Sequence, residues 1–490
     1  MDIWTTAITI AVAIVDVVAR ETLLLAAIGF LIGGLDDLAV DGIFVAHKFW
    51  HGWARRRPIL TLTELADRPL RGRMAVFVPA WDERGVIGAM LRHALGTIDH
   101  PDYAIYVGTY PNDRATIDAV AAVADQDDRV RLVVGAVPGP TTKAACLNTL
   151  WRALLRDEHA GGVRVRAVVL HDAEDVVHRA ELRIFDALID RYATVQLPVL
   201  PLVDRRSRMV AGHYCDEFAE AHGKQMVVRQ ALGAGLPLAG VGCAIARDAL
   251  DRVAALRGGA PFDAHSLTED YELGLHIAEL GGRGCLARVP ERRGGPVASV
   301  RAYFPATLDA AVRQKARWML GIALAGWDRT GWSRPHQLGD HWMRMRDRRA
   351  PMVVVILCAA YLAIVFGALS VLGHGLSGGA PVGVGVVPAW LLMANGGWLA
   401  WRLTLRAVFT GAAYGVAEAL WSVPRMIVGN LVSLLAARRA VIRYVAMLGG
   451  EPLRWDKTAH AFPADPAQPG DLARPNDLAQ PDDVAGHRAS

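Results

Sequence analysis

The stretch Val165-Arg166-Ala167-Val168-Val169-Leu170-His171-Asp172-Ala173-Glu174-Asp175 reads as an apolar strand that runs straight into three closely spaced carboxylates. Carboxylates packed this tightly repel one another unless a cation sits among them, so the end of this strand points to a divalent metal. Oxygen donors without a convergent His/Cys pattern favour Mg²⁺ or Mn²⁺ over zinc. A solvated acidic turn or a helix cap is the plainer alternative.

The pattern repeats outward from this stretch. Met74 to Val78, Tyr103 to Gly108 and Val130 to Val134 are further short β-branched runs separated by helical patterns. The region from about Ile59 to Arg349 therefore reads as an α/β domain with a mostly parallel sheet and crossover helices. Functional residues of open α/β sheets gather past the carboxyl ends of strands. Pro79-Ala80-Trp81-Asp82-Glu83, Asn112-Asp113 and His171 to Asp175 stand at such places.

Further on, Thr268-Glu269-Asp270 precedes a helical pattern over Tyr271 to Leu280, where first-turn acids suit the helix dipole. Gln314 and Trp318 share one helix face with Arg317 beside them, which alone reads as a basic face near a membrane. Gly240-Val241-Gly242-Cys243 suits either close backbone approach to a ligand or a packing turn. His213, Tyr214, Asp216, Glu217, Glu220 and His222 form one more polar cluster, read as supporting residues.

The 490 residues are 53% hydrophobic and 21% charged, with a mean hydropathy of +0.24. That excludes a disordered or collagen-like chain and leaves too many charges for a bundle of membrane helices alone. A net charge of +4 without a basic, aromatic-interleaved cluster gives no case for nucleic acid. Five scattered cysteines suggest neither a disulfide framework nor a zinc site. Lysine occurs only at Lys48, Lys143, Lys224, Lys315 and Lys457, so each retained lysine is informative.

Ala7 to Val45 is apolar but broken by Asp16, Arg20, Glu21, Asp36, Asp37 and Asp41, so one span is expected, with two as the alternative. The amino end has no basic region, which argues against a cleaved signal peptide. Val353 to Leu372 and Val384 to Trp401 read as two spans. Basic flanks at Lys48 and Arg55 to Arg57, and at Arg344 to Arg349, put the central region in the cytoplasm. Pro424 is expected to interrupt any long helix between Ala407 and Leu448, a region read as interfacial amphipathic helices, or else as one more span over Ala407 to Val423. The resulting division is a transmembrane region over 1–47, a cytoplasmic domain over 58–349, a helix pair over 351–405, interfacial helices over 406–463 and a disordered tail over 464–490.

Nine motifs in order, VPAWDE, VGTYPND, KAACLN, HDAEDVVH, YCDEFAEAHGK, GVGCAIAR, LTEDYELG, QKARW and WDKTAHAFP, resemble the membrane-bound family 2 glycosyltransferases, the group that includes cellulose and hyaluronan synthases. Within it the likeness is to inner-membrane glycosyltransferases of the phage-adsorption protein B type, over roughly Leu23 to Pro463. The resemblance implies a GT-A-type domain, Rossmann-like with a mostly parallel sheet, flanked by transmembrane helices. It implies that Pro79, Ala80, Glu83, Asp113, Lys143, Asn148 and Asp172 bind the nucleotide sugar. It makes Asp270, with Glu269, catalytic and Asp270 the general base, and sets Gln314, Arg317, Trp318 and Gly242 at the acceptor and diphosphate. Asp172, Glu174 and Asp175 are the implied metal ligands for Mg²⁺ or Mn²⁺, although the D-x-E form departs from the commoner D-x-D.

By the same resemblance the chain is a multi-pass enzyme of the bacterial inner membrane. It moves a sugar from a UDP-sugar to a growing glycan by inverting, metal-dependent single displacement, in exopolysaccharide synthesis and export. Transfer of one sugar to a lipid carrier, and a non-catalytic scaffold or receptor component, are the alternatives. The implied partners are a UDP-sugar, a glycan or lipid-linked acceptor, membrane lipids, and an outer-membrane or regulatory protein.

Overall fold

The computed structural model describes residues 3–50, 60–66, 68–377, 388–451 and 460–463. The expected tail, Arg55 to Arg57 and the first residues of the WDKTAHAFP motif lie outside these.

A single helix, α1 (Ile3–Phe49), takes up the whole amino-terminal apolar region. The acidic residues that read as interruptions are bonded sideways. Asp16 accepts from Ser370 Oγ and from His374 Nε2 at 2.9 Å, while Asp37 Oδ1 accepts from Arg346 and Arg349 at 2.9 and 2.7 Å. Helical rise carries Asp16 to Asp36 over about 30 Å, the thickness of a hydrocarbon core.

The α/β domain follows as α2 (Leu62–Ala66), β1 (Met74–Pro79), α3 (Ile87–Thr97), β2 (Tyr103–Thr109), α4 (Arg114–Ala124), β3 (Val130–Val134), α5 (Lys143–Gly161), β4 (Ala167–Leu170), α6 (Glu181–Leu188), β5 (Thr194–Gln196), α7 (Gly212–Glu220), α8 (Met226–Ala231), β6 (Cys243–Ala246), α9 (Arg247–Leu256), α10 (Glu269–Glu279) and β7 (Gly284–Leu286). The sheet order is β3-β2-β1-β4-β6-β5-β7. Only β6 runs antiparallel to its neighbours, β4 and β5. The central strands are buried on both faces, as their near-continuous apolar runs require. One apolar layer lies under α3, α4 and α6 and the other under α5, α9 and α10.

After the sheet come α11 (Leu308–Trp318), α12 (Ala325–Thr330), α13 (Leu338–Arg348), α14 (Ala350–Ser377), α15 (Ala389–Tyr414) and α16 (Val416–Leu448). Among the described residues, two helices are long and apolar enough to cross a membrane, over Thr6–Phe49 and Ala350–Ser377. Of the second expected carboxy-terminal span, Val384 to Trp401, residues 384–387 lie outside the described residues and the rest from Ala389 falls in α15, which holds Asn395 within that span and Arg402 and Arg406 beyond it. The expected boundary at 405/406 falls inside this helix.

The expected break at Pro424 does not occur, because α16 runs through it. Arg425, buried beside the proline, bonds Asp216 and Glu418, and Arg406 Nε donates to the Ser422 carbonyl at 3.1 Å. The bonds to Asp216 and Arg406 tie the helix to α7 and α15 on either side of a residue that removes one of its own bonds.

Candidate active site

The ends of β1 and β4, the starts of α5 and α10 and the carboxyl end of α11 meet over a cleft of about 450 Å³. Its walls include Pro79, Glu83, Lys143, Asp172, Glu174, Asp175, Glu269, Asp270, Gln314, Arg317, Trp318 and His460. Ala80, Asp113, Asn148 and Gly242 do not line it.

The β1 end is held by Asp113. Its carboxylate accepts from the Asp82 amide at 2.6 Å and caps α4 through the Thr116 amide at 3.3 Å. That bond fixes Asp82 at φ 53, a left-handed conformation that a side chain adopts only when held. Glu83 is thereby turned into the cleft. Ala80 continues the sheet, donating to Gly108 O at 2.8 Å. Asn148 is also occupied: its amide bonds Phe262 N and O at 3.1 and 2.7 Å. Asp113 and Asn148 shape the pocket by these bonds.

Lys143 begins α5, capped by Thr142, and its Nζ lies 2.5 Å from Asp172 Oδ1. Burial opposes both charges, but each outweighs it for the other, so Lys143 is raised and Asp172 lowered from their ordinary values. Among the described residues, Asp270 has no such cation at bonding distance. Burial raises its proton affinity, and the nearby Lys143 charge offsets this in part. Burial and the adjacent Asp270 push Glu269 up to about 7. Gly240, at φ +73, leaves room for both, since a Cβ there would strike Asp270 Oδ2 and crowd Lys143 Nζ. Gln196, fully buried, fastens this loop by donating to the Val241 carbonyl and accepting from the Ala239 amide, both at 2.9 Å. Gly242 packs on Val300 at the back of that loop.

Glu83, Glu174 and His460 bring one ligand atom each to within 4.8 Å of one another. His460 Nδ1 is 2.8 Å from Glu83 Oε1 and 3.2 Å from Glu174 Oε2. Glu174 Oε2 is nevertheless buried without a well-directed hydrogen bond, and burial raises this carboxyl to about 8. Burial lowers His460, but the two carboxylates outweigh it and bring it up to about 9. Two carboxylates and an imidazole with an unsatisfied buried oxygen fit a divalent cation.

Of the three expected metal ligands, Glu174 belongs to this group, whereas Asp172 pairs with Lys143. Asp175 Oδ2 is occupied by His171 Nδ1 at 2.8 Å and by the Asp172 amide at 3.0 Å. His171 also bonds Glu181 at 2.9 Å, so a buried acid–imidazole–acid chain braces the whole turn.

Glu83 as a metal-type donor and His460, Gln196, Gly240 and the His171–Glu181 bond were not assigned these roles from the sequence. His460 stood in a quoted motif, but it lies 377 residues from Glu83, a distance no local pattern bridges.

Arg317 and Trp318 close the far side, where Tyr214 and Phe304 stand 6.0 and 6.5 Å from the Trp318 ring. Gln314 Oε1 is buried there with no hydrogen-bond partner among the described residues.

Residues 71–321 match the family profile described as "Glycosyltransferase like family 2". The chain is 36% identical over 462 residues to bacteriophage adsorption protein B of Escherichia coli strain K12 and, to the same extent, to bacteriophage N4 adsorption protein B of Escherichia coli O157:H7. The alignments cover 89% of this chain and 61% of each relative, so the chain spans about three-fifths of their length. Among solved structures, the mannosyltransferase PcManGT from Pyrobaculum calidifontis, with GDP-Man and Mn²⁺, is similar at TM-score 0.49 and 19% identity, over 82% of this chain and 99% of that one. Glucosyl-3-phosphoglycerate synthase from Mycobacterium tuberculosis, with Mn²⁺, UDP and phosphoglyceric acid, is similar at TM-score 0.33 and 18% identity, over 57% and 86%.

Proposed function

The chain belongs to the glycosyltransferase-like family 2 and is a glycosyltransferase, and on that premise we propose that it transfers a sugar from a UDP-sugar to a glycan acceptor with inversion, at the cytoplasmic face of a bacterial inner membrane, for exopolysaccharide synthesis and export. The observation that carries this reading is the convergence of Asp172, Glu174, Glu269 and Asp270 with Lys143 and Arg317 on one cleft. Asp270 takes the proton of the acceptor hydroxyl while that oxygen attacks the anomeric carbon and the bond to the diphosphate breaks with its electron pair. Its raised proton affinity suits that task. Lys143 and Arg317 face the departing diphosphate, and Trp318 offers a flat surface to the acceptor sugar.

A doubly charged diphosphate does not enter so acidic a cleft without countercharge. Glu83, Glu174 and His460 would hold a divalent ion, which supplies that charge when bound. The imidazole among the donors favours Mn²⁺ over Mg²⁺. The apolar helices over Thr6–Phe49 and Ala350–Ser377 support the membrane location, and the bonded ends of the pair they form match a bilayer in thickness.

The test is UDP release by the purified full chain with Mn²⁺ or Mg²⁺ across a panel of UDP-sugars. Metal-dependent turnover with one donor, reduced about 10²- to 10⁴-fold in Asp270→Asn and lost in Asp172→Ala, is expected. Folded protein that is silent with every donor refutes the reading.

A further inference from the structure

The polar cluster on α7 takes no part in the chemistry above, yet its side chains sort onto two faces with different partners. Tyr214, Glu217 and Phe218, at helical spacing, face α11. The rings of Tyr214 and Phe218 stand 6.0 and 6.1 Å from Trp318. Glu217 Oε1 binds Lys315 Nζ at 2.6 Å, and that ammonium lies 5.5 Å from the Tyr214 ring centre. Asp216 and Glu220 form the other face. Asp216 accepts from Arg425 and Arg406 at 2.8 and 3.1 Å, and Glu220 accepts from Arg402 at 2.8 Å, so this face is tied to α15 and α16.

Burial would raise Glu217, but the Lys315 charge holds it down to about 2. The pair is half-buried, with 12% of the Lys315 side chain and 35% of the Glu217 side chain exposed. It is thus worth more than a surface bridge, which contributes little. Lys315 sits between Gln314 and Arg317 on α11, a helix that also packs on α16 through Ala316, Ala436 and Ala440, so the pair adds a polar tie from α7 at the turn that carries those residues. A side chain several ångströms from a helix axis moves about 1 Å for a small rotation, and a misplacement of about 1 Å costs about 10²-fold in rate.

We propose that Glu217 is a positioning residue: through Lys315 it fixes the rotation of α11, and with it the approach of Arg317 and Trp318 to the acceptor, so that α7 couples the acceptor end of the cleft to the membrane-proximal helices. The proposal rests on the transferase reading.

It is tested on the full-length protein with Glu217→Gln, Lys315→Arg, Glu217→Lys and the swap Glu217→Lys/Lys315→Glu. The readouts are kcat and donor KM for incorporation of labelled sugar, and hydrogen exchange across Leu308–Trp318. Expected are a fall in kcat of about 10- to 10²-fold in Glu217→Gln with donor KM within about twofold, near-normal Lys315→Arg, and at least about tenfold recovery of the swap over Glu217→Lys. Exchange in α11 rises in Glu217→Gln and not in Lys315→Arg. Unchanged kcat in Glu217→Gln, or a folded swap that recovers nothing, overturns the proposal. If the unmodified protein turns over no donor, the transferase reading fails instead, and α11 exchange unaffected by Glu217→Gln still refutes the positioning role.

Discussion

Two buried clusters of charge lie on either side of α7, and they are balanced in opposite ways. In the collar between the α/β domain and the membrane helices, Asp36, Asp37, Asp41, Asp216, Glu220 and Glu418 each meet an arginine or lysine. In the cleft, Glu83, Asp172, Glu174, Glu269 and Asp270 share far fewer cations, and three of them have raised proton affinities. Burying charge is costly unless it is paired, so the collar is what a chain builds to hold helices together. The proposed transfer accounts for the imbalance of the cleft, because it brings a cation and an anionic donor into it.

The largest effect that separates the two regions is on stability. Arg425→Met removes the fully buried cation that Asp216 and Glu418 share, leaving them only Arg406 and Arg208, and should destabilise the fold by about 3 kcal/mol, the low end for breaking a buried pair, read as the midpoint of chemical unfolding. Glu174→Gln removes a carboxyl that must take up a proton to be buried in the cleft and should raise the midpoint at neutral pH in metal-free buffer while reducing UDP release. If the two substitutions shift stability in the same direction, the contrast between collar and cleft is wrong.

How much of this could be read beforehand follows the same division. β1 to β4 were legible because long apolar runs end in polar clusters, and Asp172, Glu174, Asp270 and Trp318 were legible because their motifs are local. β5, β6 and β7 span three or four residues, too short to show alternation. Asp16, Asp36 and Asp37 were read as interruptions of the apolar run, and Pro424 as an interruption of any long helix, because the groups that bond these acids and Arg425 beside the proline, Ser370, Arg346 and Asp216, lie hundreds of residues away. The place of His460 beside Glu83 was hidden for the same reason, and the structure bonds Asn148 and Asp113 to neighbouring loops.

A smaller effect sharpens the account of the cleft. His460→Ala should weaken the Mn²⁺ requirement for UDP release by about 10- to 10²-fold in apparent affinity, with donor KM measured at saturating metal little changed. An unaltered Mn²⁺ dependence would mean that the metal is held without His460 and that Glu83 and Glu174 do not share it.

The smallest effect is the dependence of stability on pH, and its sign follows from the cleft carboxyls whose proton affinity burial raises. Glu174 is raised from 4.5 to about 8 and Glu269 from 4.5 to about 7, so between those values the folded chain binds more protons than the unfolded one. Stability contributed this way is complete below about pH 4.5 and is lost as pH rises toward 8. His460, raised from 6.5 to about 9, adds a loss of the same sign between those values. Asp172, lowered, acts only below its ordinary value of 3.8 and leaves this window untouched. Metal-free protein should therefore melt lower at pH 8.5 than at pH 5.5. Mn²⁺ should reverse the trend, raising the melting temperature more at pH 8.5, because its ligands must give up their protons to bind it. Equal stabilisation by Mn²⁺ at both pH values would show that the metal does not compete with those protons. The cleft's imbalance would then need another explanation.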